Sequence, residues 1–222
     1  MQPSHPELIE ALATEFIWSN YSVKQMLRLM VSSNAYALSS RYPGTWRPEY
    51  ERYFARYGAR RLEAEFVHDS MALATNTATP MDVEGLATPV SWAIQLPDPS
   101  EPRGDFNTRN FLAQFGRSDY WNIPNSRKST VLQVLFLMND KKVNFRTFAN
   151  RDGGRTTRVT EILQAGLDDT AAVRRLFLAT LSRYPTEEEL AALSRNKRGA
   201  RDQWLADLQW ALLNKVEFLF NY

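Results

Sequence analysis

The densest polar constellation in this chain, Arg61, Glu65, His68 and Asp69, makes the strongest case for chemistry, with Arg60 and Arg61 as candidates for binding. Read as one helix, spacings of three and four place Arg61, Glu65, His68 and Asp69 on neighbouring positions of a single face. Carboxylates at i and i+4, such as Glu65 and Asp69, repel each other, so one is driven toward its protonated form unless a cation such as Arg61 or a metal lies between them. That is how a general acid and base pair is made. The same spacing equally describes a salt-bridged helix face. Glu65-Phe66-Val67-His68 also fits the Glu-x-x-His pattern of di-iron bundles, but such a site needs a second copy of the motif and two further glutamates. The only other histidine is His5, so no metal site is expected.

Three further groups of residues suggest binding. Arg127, Ser129 and Thr130 precede an apolar run, and exposed amides at a helix start with cations nearby can hold an anion; Ser129 or Thr130 as a plain helix cap is the other reading. Lys141, Lys142, Arg146, Arg151, Arg155 and Arg158 outnumber Asp140 and Asp152, with Phe145 and Phe148 interleaved. This is the composition of a nucleic-acid surface or of a solvated basic face. Trp18, Trp46, Trp92 and Trp121 fall near expected helix ends or loops, where indole rings either stack on sugars or pack into a core.

Composition removes several classes of function. The chain has 222 residues and no cysteine, which excludes disulfides, thiolate metal sites, cysteine nucleophiles and covalent haem attachment. Its formal net charge is only +2, so bulk electrostatics make no case for nucleic acid. No apolar run approaches the length of a membrane-spanning helix, and the start, MQPSHPEL, has neither the basic nor the apolar region of a secretory signal. The expectation is then either a cytoplasmic protein or an excised part of a longer one, and a helix beginning so close to Met1 favours the second.

The elements that must position these residues read as helices. Ser4 with Glu7, Ser22 with Gln25 and Thr186 with Glu189 have capping-box spacing. Leu8, Leu12 and Phe16 form one stripe, and Val23, Met26, Leu27, Met30 and Val31 form another, so the first two helices are expected as an antiparallel hairpin. Tyr50, Tyr53, Phe54 and Tyr57 predict an aromatic helical stripe. Arg60 to about Thr75 predicts the next helix, with Leu62, Phe66, Ser70 and Leu73 on one side. Five prolines interrupt residues 79–105, and Val90, Trp92, Ile94 and Leu96 alternate there as one half-buried strand. Helices follow at 108–115, 131–139, 141–150 and 157–164. Val173, Leu176, Phe177, Thr180, Leu181 and Tyr184 mark another. The final helix is expected from about Ala200 through Val216 and Leu219, apolar on most sides and therefore central.

Five ordered blocks carry a resemblance: His5 to Tyr36, Arg60 to Leu73, Phe115 to Asp140, RLFLATLSRYPTEEEL at Arg175 to Leu190, and WALLNKVEFLFNY at Trp210 to Tyr222. Together they resemble PSD-one, the planctomycete-type C-terminal domain of unknown function. The central block departs from the family's usual pattern at Gly116 and at Val131. The resemblance implies a bacterial, exported, multidomain parent in which such domains lie downstream of cytochrome-c-like modules and in some cases near lectin-like ones. Haem is then expected only in a separate upstream module, with no cofactor in this chain. The family implies no established activity.

The expectation is a mainly α-helical bundle forming one domain over residues 1–222, with a Pro-rich insertion at 79–105. Its expected role is a non-catalytic interaction or assembly module whose partners are other domains of its parent or another protein. An enzyme acting on polysaccharide, with carboxylates near 65–69 and an acid such as Asp119, is the alternative.

Overall fold

The computed structural model describes residues 5–117, 131–149 and 156–221, and the protein is mainly α-helical. Its contacts divide into two compact units, residues 1–60 with Tyr222 and residues 61–221.

In the first unit, α1 (Pro6–Trp18) starts with Pro6 in its first turn, where the missing amide costs nothing. His5 stands at the N-cap without a side-chain cap bond, and Ser4 lies outside the described residues. The Ser22 hydroxyl accepts the Gln25 amide at 3.3 Å and opens α2 (Val23–Val31). The link between them places Asn20 and Tyr21 at positive φ, and Phe16 meets Tyr21 edge-on at 5.5 Å. The aromatic stripe expected around Tyr50 to Tyr57 is corrected. Pro48–Tyr53 is a 3-10 turn, stopped where Phe54 turns left-handed at φ 51°, and Tyr42, Trp46 and Tyr50 instead gather into a cluster with centroids 5.5–5.9 Å apart.

In the second unit the chain enters through β1 (Arg60–Arg61), not through a helix, and this overturns the helix expected from Arg60. The strand is extended because it pairs with a short partner near the end of the chain, the Leu62 amide donating to the Leu219 carbonyl at 2.9 Å. α3 (Ala64–Thr75) then begins behind Glu63 and presents Ala64, Val67, His68, Met71, Ala72 and Ala74 to the interior. Of the residues read as one side of this helix, Phe66 and Leu73 are exposed, Ser70 is half-buried, and Leu62 lies before the helix and packs against the core. Small residues on the buried face let neighbouring elements approach α3 closely, which a search for large apolar side chains overlooks.

The expected strand at 90–96 is also corrected. Val90 does pair, in an antiparallel bridge with Met81, but Ala93–Gln95 is a 3-10 turn. Two side chains impose it. Gln95 Oε1 accepts the Ser91 and Trp92 amides at 3.0 Å, and Asp69 accepts those of Ala93 and Ile94, so these amides are used in a turn instead of a ladder.

α4 (Phe106–Gln114) is capped by Asp105, and α5 (Val131–Asn139), α6 (Lys141–Thr147) and α7 (Arg158–Gln164) follow close to expectation. α8 (Asp169–Leu181) buries Val173, Leu176, Phe177 and Thr180 and stops at left-handed Ser182, which leaves Tyr184 outside the helix and exposed. Thr186 and Glu189 form the reciprocal capping box of α9 (Glu187–Arg195). The single final helix is broken. α10 (Arg201–Leu213) ends where the Asn214 amide side chain turns back onto the Trp210 carbonyl at 2.8 Å, and α11 (Val216–Leu219) and β2 (Phe220–Asn221) complete the described chain.

Two apolar clusters form the interior of this unit. One joins α3, α4, α5 and α6, and the other joins α7, α8 and α10. α10 serves both, with Leu213 in the first and Trp204, Leu205, Leu208 and Leu212 in the second. Buried Gln209 donates from Nε2 to the Ala74 carbonyl at 2.9 Å and ties α10 to the end of α3.

Candidate functional site

The residues that the sequence places on one helix face do not all share one. Arg60 is an exposed strand residue. Arg61, on the strand beside it, is 8 % exposed and donates to Gln133 Oε1 at 3.3 Å and to the Phe115 carbonyl at 3.2 Å. Burial lowers the guanidinium pKa below its ordinary value. Its work is to hold the chain around Phe115 to the start of the second unit. It does not stand between Glu65 and Asp69.

Each carboxylate of α3 has a separate partner. Glu65 pairs with Arg117 Nε at 2.9 Å, and the same guanidinium donates to the carbonyls of Glu101 and Asp98. Asp69 Oδ1 accepts the Ala93 amide at 2.7 Å and Oδ2 accepts that of Ile94 at 3.1 Å, while His68 Nδ1 lies 3.0 Å from Oδ1. An ionised carboxylate already receiving two amides can only accept, so His68 Nδ1 carries the proton and donates. In the neutral ring Nε2 is then left as an acceptor. Phe111 meets the imidazole edge-on at 5.5 Å and fixes its plane.

His68 lines a cavity of about 440 Å³. Met71, Met81, Phe111, Phe136 and Phe145 give it an apolar wall. Asn107, Thr108 and Asn110 from α4, with Thr77 and Thr79 after α3, give it hydroxyl and amide groups. Three of the four charged side chains at its edge are used by the fold: Asp105 accepts the Asn107 and Thr108 amides, Asp140 accepts that of Val143, and Arg146 donates to Thr77 Oγ1, while Lys141 is exposed. Sequence reasoning missed the α4 contribution. The Asp105 to Thr108 spacing signals a helix start, and nothing in it signals that α4 faces His68.

The remaining candidates separate. Arg127, Ser129, Thr130, Asp119, Arg151 and Arg155 lie outside the described residues. Of the basic run, Arg146 and Lys141 border the cavity, whereas Arg158 donates to the Leu73 and Ala74 carbonyls and so closes the end of α3. Phe145 and Phe148 contact each other at 6.3 Å. Among the described residues no cluster of His, Asp and Glu could hold a metal ion, and no helix is long and apolar enough to cross a membrane.

A different surface stands out in the first unit. Neither α1 nor α2 contains a buried residue, although both carry large apolar side chains. Ile17, Trp18, Val23, Leu27 and Val31 are all more than half exposed.

A family model, PSD1, described as "Protein of unknown function (DUF1553)", matches residues 1–196. The chain belongs to the PSD1 family. The PSD1 match takes in α1 to α9 and ends at the C-cap of α9, so α10 and the block from Trp210 to Tyr222 lie beyond it. PSD1 membership brings a domain of unknown function and no assigned reaction. No curated protein and no solved structure matches the chain.

Proposed function

We propose that this PSD1 chain is a non-catalytic interaction and assembly module of a larger exported bacterial protein, and that it docks through α1 and α2 onto a neighbouring domain of that protein. The observation that carries the reading is the complete lack of buried residues in two amphipathic helices. Side chains such as Trp18, Leu27 and Met30 offer the aromatic and methionine content that contact surfaces favour. The charged residues of α2 are Lys24 and Arg28 alone. A complementary face is therefore apolar with carboxylates at its edge. Cytochrome-c-like modules are the neighbours that the PSD1 resemblance suggests, and haem belongs to them.

The alternative, polysaccharide hydrolysis by carboxylates near 65–69, has less support. Hydrolysis of that kind uses two carboxyl groups facing each other across a cleft. Glu65 is held by Arg117, and Asp69 is taken up by two backbone amides and His68.

Hydrogen exchange tests the docking. Amides of α1 and α2 are expected to exchange at least tenfold more slowly in the whole parent protein than in this chain alone, while those of α8 exchange alike in both. Equal exchange of α1 and α2 in the two samples would falsify the proposal.

A further inference from the structure

We infer that the cavity beside His68 binds a neutral, polyhydroxylated ligand of the size of a mono- or disaccharide. Its volume of about 440 Å³ falls within the range of small-ligand sites, which are largely apolar with a few placed polar groups. Three features of the lining select the ligand's chemistry.

The first is a polar side chain set toward the space. His68 is 7 % exposed, its Nδ1 is engaged by Asp69, and its Nε2 has no protein partner among the described residues. In the neutral ring this nitrogen meets the cavity as an acceptor and is open to any donor that enters there. A hydroxyl supplies that donor. Asp69 is itself fixed by the Ala93 and Ile94 amides, so the imidazole is held in one tautomer and one orientation before any ligand arrives.

The second is the state of the charged groups. Asp105 and Asp140 cap α4 and α6, and Arg146 is donated to Thr77. Lys141 is the fourth charged side chain of the lining, and two acids against two bases leave no net charge facing a ligand. Asn107 and Asn110, by contrast, have no side-chain partner among the described residues, and each amide both donates and accepts. Two-way hydrogen bonding suits hydroxyl groups, which do the same.

The third is the apolar wall. Phe145 is 45 % exposed and stands with Phe136 and Phe111 along the cavity. Sugar rings have one face of C–H groups that covers an aromatic ring while the hydroxyls point to its edge. A purely polar ligand leaves this wall uncovered, and a purely apolar one leaves His68, Asn107 and Asn110 unpaired.

Calorimetry and histidine side-chain NMR test the assignment. Neutral probes are glucose, galactose, mannose, cellobiose and lactose; charged probes are glucuronate and glycine. At least one neutral sugar is expected to bind and to shift the His68 Nε2 resonance, with His5, the only other histidine, unmoved. His68→Phe keeps the ring volume and removes the acceptor, and Asn110→Ala removes one amide from the less buried side. Each is expected to weaken binding by about tenfold, the worth of one lost hydrogen bond. Should His68→Phe fail to fold, Asn110→Ala decides. The inference is overturned if no neutral sugar binds, if glucuronate or glycine binds more tightly than all of them, or if sugar binding is unchanged in the variants. Because the readout is confined to α3, α4 and their neighbours, it stands or falls separately from docking through α1 and α2.

Discussion

α2 and α8 carry the same apolar spacing, and the protein treats them in opposite ways. In α8 the residues Val173, Leu176, Phe177 and Thr180 are buried, and Leu176 touches no solvent at all. In α2 the equivalent positions are Val23, Met26, Leu27 and Met30, of which Met26 is half-buried and the other three are exposed. Periodicity tells which side chains share a face of a helix. It does not tell whether anything covers that face. The burial of α8 is completed within its own unit by α3, α7 and α10, whereas the described residues of the first unit offer α1 and α2 only each other and a short 3-10 turn as helical neighbours. An amphipathic helix without a cover is the sequence signature of a core and the structural signature of a contact surface.

The largest expected effect lies on the buried side of this comparison. Leu176→Ala should cost about 2–5 kcal/mol in urea-unfolding stability, the range for a large-to-small change in a closed core. A loss below about 1 kcal/mol would mean that the second cluster is loosely packed.

Next comes the charged network that ties α9 and α11 to the turn after α8. Arg183 donates to Glu189 at 2.8 and 2.9 Å and to both oxygens of Glu217, and Lys215 reaches Glu189 at 3.0 Å. The hydrogen bonds from Arg183 hold the carboxyl pKa values of Glu189 and Glu217 well below the ordinary range. In the unfolded chain these acids protonate first as pH falls. The stability that they contribute is therefore full above the ordinary carboxylate pKa and lost progressively as pH drops through and below it. Melting curves between neutral and acidic pH should show that decline. Glu189→Gln should flatten it and cost about 1–3 kcal/mol at neutral pH. An unchanged acid slope in the variant would remove this network as a source of stability.

The smallest effect is the sharpest contrast. Leu27→Ala removes as many carbon atoms as Leu176→Ala but should change the stability of this chain by no more than about 0.5 kcal/mol, as for an exposed site. If it destabilises the chain like a core substitution, α2 is covered after all and the comparison between the two regions fails.

Much of the architecture was legible in the residues themselves. The caps at Ser22 and Thr186 mark helix starts because their hydroxyls accept amides of the first turn, and the structure shows both doing so. α5 runs from Val131 to Asn139 as its apolar content requires. The misreadings came from partners distant in sequence. Arg61 is extended and not helical because the chain beside it pairs with a segment near residue 220. Trp92 to Leu96 alternate like a strand, yet Asp69, more than twenty residues earlier, takes two of the amides that a strand would use. The α3 site was half legible. Glu65, His68 and Asp69 do lie on one helix, but their partners are Arg117, a cavity lined by α4, and the 3-10 turn at Ala93–Gln95. None of these is encoded in the spacing of α3. The binding candidates Arg127, Ser129 and Thr130 fall outside the described residues.

The contact between Gln209 and Ala74 spans 135 positions of the chain, and it sits where α10 supplies side chains to both apolar clusters. During synthesis every element up to α9 is made before α10. Until Trp204, Leu205, Leu208 and Leu212 emerge, the cluster of α7 and α8 lacks the side chains of α10, and Leu213 is missing from the cluster around α3. Pairings so distant in sequence form slowly, because a long loop must close before its contacts contribute. The nascent second unit therefore waits, with its interior incomplete, for a helix that comes late in the order of its own elements. That interval is when it is most exposed to aggregation and most dependent on a chaperone.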